Sequence, residues 1–284
     1  MRIGIGLPNP IPGLPGEILL EWARRAEQRG FTAFGTIGRV AYPSYDELIA
    51  LSAAAAVTER MELISNILLG ATRNPVLLAK EAASLDQISG GRFILGLGVG
   101  GRPDDFAASG TSFSDRGRRL DRALEVMDRA WTGEPVEGAQ KPVTPRPTHE
   151  GGVPILIGGT SDKAVKRAVE WGIGWTAGGG GPDRAAGVIE RVRKAWTEAD
   201  KGGEPRIVSL EYFALGSDAE QGGGRYLADY YGEYGPMITA AMPKSPEEIR
   251  DRVKRFEDIG TETLIFDPTI GELDQLEMLA DAVF

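Results

Sequence analysis

Short β-branched runs alternate along the chain with longer segments whose apolar residues recur every three or four positions, the signature of strands and amphipathic helices taken in turn. Strands are predicted at Arg2–Leu7, Thr32–Ile37, Glu62–Leu69, Arg92–Val99, Pro154–Gly158, Gly174–Ala177, Arg206–Ala214 and Thr263–Asp267. Between them, Glu17–Arg29 carries Ile18, Leu19, Trp22, Ala23 and Ala26 on one stripe and stops at Gly30. A second helix starts at Pro75 and stops at Gly90-Gly91; others are predicted at Asp115–Trp131, Asp162–Trp171, Asp183–Asp200, Pro246–Ile259 and Leu273–Phe284. This βαβα rhythm requires a parallel sheet covered on both faces, and about 35 residues per unit predicts a single-domain α/β fold, a (β/α)8 TIM barrel over residues 1–284.

Two excursions break the rhythm. Gly133–Gly152, with Pro135, Pro142, Pro145 and Pro147, cannot be helix interior and reads as a surface detour. The second, 221–243, holds Gly222–Gly224 and then Tyr226, Tyr230, Tyr231 and Tyr234; it reads either as a lid or as a tyrosine-rich helix on the barrel rim.

Composition narrows the chemistry. With no Cys and one His, thiolate nucleophiles, disulfides and Cys/His metal sites lack their ligands, so no metal is expected. A net charge of -9 opposes nucleic-acid or anionic-membrane partners and favours small molecules. The start carries no long apolar stretch and no later run reaches the roughly 20 residues that span a bilayer, so a cytoplasmic protein is expected.

In a barrel the chemistry sits where strands end. Gly96-Leu97-Gly98-Val99-Gly100-Gly101 matches a dinucleotide fingerprint, but Arg102-Pro103-Asp104-Asp105 follows and no helix is predicted before Asp115, which argues against a Rossmann unit. These glycines either admit a flat ligand or relieve a crowded layer. Gly158-Gly159-Thr160-Ser161 and Gly178-Gly179-Gly180-Gly181-Pro182-Asp183 each end a strand and open a helix; together they make an anion pocket, or are ordinary turns capped by Ser161 and Asp183. Arg39 and Arg102 follow strands and suit an anionic ligand; Arg116, Arg118 and Arg119 open a helix, where an anion or Asp104 or Asp105 would offset their charge. Asp267 closes the last strand as a candidate acid or base, or as an Asp-Pro turn cap. His149 stands in a proline-rich excursion with no nucleophile elbow, which argues against a triad. With so little acid–base equipment, a cofactor is expected to carry the reaction.

The run Asn74–Gly100, with Ala53–Leu69, Phe113–Trp131 and Val153-Pro154-Ile155-Leu156-Ile157-Gly158-Gly159 before Gly174-Trp175, closely resembles the luciferase-like flavin oxidoreductases, over about Met1 to Gly181. The resemblance implies a (β/α)8 barrel with the cofactor ring across the strand ends. It also implies a non-prolyl cis peptide near Ser65-Asn66-Ile67 and a phosphate pocket at Gly158, Gly159, Thr160 and Gly178–Gly180. Where many relatives end the second strand in Asp-His, this chain has Ile37-Gly38-Arg39-Val40, and Ile173 stands where an Asp is common before Gly-Trp.

The expectation is a flavin-dependent monooxygenase using FMN, reduced by a separate reductase, and O2 on a small organic substrate. Its catalytic candidates are Arg39, Asn66 and Asp267. Ser65, Asn66, Ile67, Gly98, Gly100, Gly158, Gly159, Thr160, Gly178, Gly179 and Gly180 are the cofactor-binding candidates. The alternatives are a coenzyme F-420-dependent hydride-transfer enzyme, a flavin-binding protein without turnover, and a barrel isomerase or lyase with Glu211 as its base. The resemblance also implies a homodimer packed through barrel helices.

Overall fold

A computed structural model describes residues 1–136 and 138–284. Nine parallel strands form one sheet: β1 (Arg2–Gly6), β2 (Ala33–Thr36), β3 (Glu62–Ser65), β4 (Leu68–Leu69), β5 (Phe93–Gly98), β6 (Ile155–Gly158), β7 (Gly174–Thr176), β8 (Arg206–Phe213) and β9 (Thr263–Pro268). Each pairs with its neighbour, β1 with β9, and β5 with both β3 and β4, so the sheet closes. The predicted third strand is therefore one stave in two pieces, interrupted at a cis Asn66–Ile67 peptide, and the barrel has eight staves as expected.

Side-chain parity assigns two environments. Inside, Ala33, Ile64, Ile94, Leu156, Val208 and Ile265 form a closed apolar layer. Below it, Glu62 meets Arg206 at 2.5 Å and Arg2 at 3.2 Å, and both arginines also reach Glu262, so paired charges seal the N-terminal end. Outside, Phe34, Leu63, Phe93, Leu95, Ile207, Phe213 and Phe266 pack against the helices. The predicted helices are present, as α1 (Gly16–Gln28), α3 (Pro75–Ser89), α5 (Arg116–Thr132), α6 (Asp162–Trp171), α7 (Gly181–Glu198), α10 (Pro246–Asp258) and α11 (Leu273–Val283).

Four further α-helices are present among the described residues, one of them anticipated as a reading of the tyrosine-rich excursion. In α2 (Glu47–Ala55) the apolar residues lie on all sides, so no stripe marks it; Asp46 caps it by accepting from the Leu48 and Ile49 amides. A six-residue α4 (Pro103–Ala108) does follow the glycine motif at once, correcting the expected gap, although the strand it follows belongs to the closed barrel and not to a Rossmann sheet. The tyrosine-rich excursion is α8 (Ala219–Tyr231) and α9 (Gly235–Ala241). Gly235 lets these two helices touch, since a Cβ there would lie 2.5 Å from Ala228 Cα.

Of the two readings of this excursion, the structure shows a helix packed on the rim. Tyr42 Oη donates to Asp229 at 2.5 Å and Arg102 donates to the Tyr230 carbonyl at 2.9 Å. The Arg102 guanidinium also lies 4.7 Å from the Tyr230 ring centre and 5.1 Å from that of Tyr231. The proline-rich excursion has no helix or strand among its described residues and is tied down by α3: Asp86 accepts from the Thr148 amide and hydroxyl, both at 2.6 Å, and contacts His149 Nδ1 at 3.2 Å. The one histidine therefore braces a loop, as expected of a residue outside any triad.

Glu211 corrects another expectation. It shares the parity of Ile207 and Phe213, so its carboxylate faces the helical layer, 3.5 Å from Arg252 of α10, and not the barrel mouth where an isomerase base would stand. Burial pushes its carboxyl up to about 7 from 4.5, Arg252 opposing only in part. The folded protein thus holds a proton that the unfolded chain releases near pH 4.5, and stability falls as pH rises from there through about 7, by about 3 kcal/mol in all for this group. Glu211→Gln should flatten that decline, read as urea midpoints at pH values between about 5 and 8; an unchanged slope would refute the assignment.

Candidate active site

The C-terminal ends of the third, fifth and sixth staves frame a cavity of about 260 Å³, lined by Asn66, Ile67, Gly158, Gly159, Thr160, Trp175, Thr176, Ala177, Gly178, Gly179, Arg184 and Ala185. Two strand-to-helix turns make its polar wall. At the first, Ser161 caps α6 by accepting from the Ala164 amide at 3.2 Å, as the sequence suggests. At the second, the cap position is Gly180 at φ 145°, a conformation that glycine tolerates. Asp183, expected as that cap, instead pairs with Arg255 of α10 at 2.9 Å, because Pro182 has already placed it one turn inside the helix.

Among the described residues the backbone amides of Gly159, Thr160, Gly178, Gly179 and Gly180 donate to no protein group. Trp175 fixes the first turn by donating from Nε1 to the Gly159 carbonyl at 2.8 Å; in a trans peptide that directs the Thr160 amide the opposite way. Arg184, in the first turn of α7, lies at the cavity wall with no carboxylate within ion-pair distance among the described residues. Unpaired amides, a helix N-terminus and a guanidinium converge on one space, which suits an anion.

At the other end of the cavity Asn66 is 4% exposed. Its Oδ1 accepts from Thr176 Oγ at 2.6 Å across the lumen, and its Nδ2 has no partner. Ile67 supplies the apolar floor, and two of the candidate glycines make room for it: a Cβ on Gly98 would lie 1.9 Å from Ile67 Cδ1, and one on Gly158 would lie 2.8 Å from it. Of the two readings of the glycine motif, Gly98 thus fits the crowded layer. Gly100, at φ 78°, lies beside Phe106 and Leu69, away from the cavity. The Ser65 hydroxyl is engaged with both the carbonyl and the amide of Gly96, at 3.0 Å each.

The remaining candidates lie elsewhere on the same face. Arg39 pairs with Asp104 at 2.5 Å and approaches Asp105 at 3.6 Å. These carboxylates were expected for Arg116, which instead donates to the Phe113 carbonyl and stacks on its ring at 4.0 Å. Arg39 lines a second cavity, of about 330 Å³, with Tyr42, Ser44, Glu47, Leu69, Thr72 and Arg73 among its walls. Glu47 is buried there and pushed up to about 7 by desolvation, which Arg73 only partly offsets. Asp267 points into the lumen at the top of β9, where a Cβ on Gly6 would fall 1.8 Å from its Oδ1. Fully buried and without a hydrogen-bond partner for either oxygen among the described residues, its carboxyl is held well above the usual carboxylate range by desolvation, and it does not act as a turn cap.

The sequence reading did not single out Arg184, Thr176, Trp175 or Glu47. Arg184 follows the glycine turn by three residues, which is a legible signal; the others are distinguished only by what the closed barrel sets opposite them. Among the described residues no cluster of three metal-ligating side chains forms, and no helix is long and apolar enough to cross a membrane.

Comparison with known proteins agrees with this fold. An uncharacterised protein of Mycobacterium tuberculosis is 34% identical over 182 residues, which cover 61% of this chain and 62% of that protein's length. The crystal structure of monooxygenase RslO1 from Streptomyces bottropensis superposes with TM-score 0.79 at 23% identity, covering 100% of this chain and 98% of the other. An F-420-dependent secondary alcohol dehydrogenase, solved with an F-420–acetone adduct, gives 0.82 at 17% identity over 99% and 98%. The family model described as luciferase-like monooxygenase matches residues 1–263, and with a closed eight-stave barrel and the glycine turns at its mouth the chain belongs to that family.

Proposed function

We propose that this chain is an oxidoreductase that holds a phosphorylated isoalloxazine-type cofactor in the 260 Å³ cavity, and that it acts as an FMN-dependent monooxygenase on a small organic substrate, with reduced flavin delivered by a separate reductase. The observation that carries this reading is the cavity's one-sided polarity. Its lining includes four residues whose amides have no partner among the described residues (Gly159, Thr160, Gly178 and Gly179), a guanidinium without an ion pair and a carboxamide N–H without a partner, and an occupant rich in acceptors and bearing a phosphate would answer them.

When bound, FMN would supply the electron pair and the site of oxygen activation, which this chain's own side chains lack. Gly159, Thr160 and Gly178–Gly180 would hold the phosphate through their amides, with Arg184 as counter-charge. Asn66 and Ile67 would seat the ring, with Gly98 and Gly158 leaving the space that Ile67 fills. Ser65, bonded to Gly96, would brace the strand break that carries Asn66, while Gly100 stays outside the cavity. Arg39 would line the substrate's approach beside the second cavity, and Asp267, whose carboxyl burial raises well above its ordinary range, would be the proton donor. The second reading is a coenzyme F-420-dependent hydride-transfer enzyme. The same amides suit its phosphodiester, and the fold shared with an F-420-dependent dehydrogenase favours testing it in parallel.

Three measurements examine these assignments. In fluorescence titrations with FMN and with coenzyme F-420, the wild-type protein should bind one of them, and Gly159→Asp should weaken it at least about a hundredfold through charge repulsion and a φ of 111° that aspartate resists. Unchanged affinity would move the phosphate elsewhere. Arg184→Ala should cost about tenfold and reduce the dependence of affinity on salt; an unaltered salt slope would remove the guanidinium from the phosphate site. Asp267→Asn should leave affinity within about twofold while slowing turnover about a hundredfold, measured as oxygen uptake or F-420 absorbance change. Equal turnover would exclude Asp267 as proton donor, and tight binding without turnover in the wild type would make the chain a flavin-binding protein.

A further inference from the structure

Asn66 sits in the cavity with its two polar ends in unlike situations. Its Oδ1 receives a hydrogen bond of 2.6 Å from Thr176 Oγ, while Nδ2 has no partner among the described residues. The two side chains come from staves on different sides of the barrel, β7 for Thr176 and the break between β3 and β4 for Asn66, so the bond spans the lumen.

The direction of that bond follows from what surrounds it. Thr176 is fully buried, and its hydroxyl proton has no acceptor other than Asn66 Oδ1 among the described residues. A buried O–H left without an acceptor is costly, whereas donation to the amide oxygen satisfies it. Turning the carboxamide over would set its N–H against the Thr176 oxygen and leave the hydroxyl proton with nothing to meet. The amide is therefore locked with its carbonyl toward Thr176 and its N–H turned away from it, on a residue that lines the cavity. An orphaned donor in a place 4% exposed is itself destabilising, and a ligand atom that accepts from it recovers that loss.

We propose that Thr176 is a positioning residue: by holding the Asn66 carboxamide in one orientation it presents a single fixed N–H donor on the cavity floor, which selects a cofactor ring carrying an unprotonated acceptor, a carbonyl oxygen or ring nitrogen, at that point. This deepens the cofactor reading and rests on it. A ring with only C–H or protonated N–H groups at that edge leaves the donor unmet and binds more weakly. Thr176 also lines the cavity, but its hydroxyl is committed to Asn66, so the hydroxyl's contribution vanishes when Asn66 is gone.

The test is a double-mutant cycle on the whole chain, using FMN and coenzyme F-420 as separate probes and reading both dissociation constants and the absorption spectrum of the bound ring. Thr176→Val, which keeps the shape and removes the hydroxyl, should weaken the preferred probe about tenfold and shift the bound-ring spectrum, because the carboxamide loses its fixed orientation. Thr176→Ser should restore both. Asn66→Leu should weaken binding by a similar factor, and Thr176→Val on top of Asn66→Leu should add less than about twofold. Thr176→Ala serves as the second probe if the valine variant does not accumulate. Wild-type affinity and spectrum in the Thr176→Val or Thr176→Ala protein, failure of serine to restore them, or full additivity of the two changes would overturn the proposal while the cofactor reading stands. A wild-type chain that binds neither probe would overturn the cofactor reading and this inference with it.

Discussion

Closing eight parallel staves into a cylinder leaves a lumen too narrow for a side chain at every inward position, and most of this structure follows from how that shortage is met. The middle layer is filled by six aliphatic residues, while Gly4, with a would-be Cβ 2.8 Å from the Ala33 carbonyl, and Gly174, with one 1.9 Å from that of Arg206, contribute none. Toward the mouth the shortage becomes functional: Gly6 yields to Asp267, and Gly98 and Gly158 yield to Ile67. Much of the glycine-rich sequence at the strand ends thus records space ceded to a particular neighbour, and the glycines that remain for a ligand are those of the two turns at β6 and β7.

That distinction explains what could and could not be read from the residues in order. Strands and amphipathic helices were legible because their periods survive in sequence, and the helix-opening turns were legible because glycine and Ser161 mark them. Helix α2 was not, since alanines and leucines on every side leave no contrast between faces. Nor was the position of Asp183: the glycine run offers several cap positions, and Pro182 at the start of α7 moves the cap back to Gly180. Asp104 and Asp105, expected beside the arginines that open α5, pair with Arg39 instead for a related reason. Asp104 and Asp105 lie near Arg116 along the chain, but the loop after β2 brings Arg39 to them across the mouth.

The polar groups of the mouth fall into two chemically unlike sets. Around the second cavity both arginines are matched, Arg39 by Asp104 and Asp105 and Arg73 by Asp46 and Glu47, so no guanidinium there is left without a carboxylate. Around the glycine turns the amides of Gly159, Thr160, Gly178, Gly179 and Gly180 have no match among the described residues. The first kind of arrangement contributes to fold stability, while the second leaves donors in place that an anionic guest would satisfy.

The ionic ring of Arg2, Glu62, Arg206 and Glu262, with the aliphatic layer above it, leaves the axis of the cylinder no thoroughfare. Residues that precede the strands are thereby cut off from those that follow them, so a substitution at the base can alter the molecule's endurance without altering what its opposite end can touch.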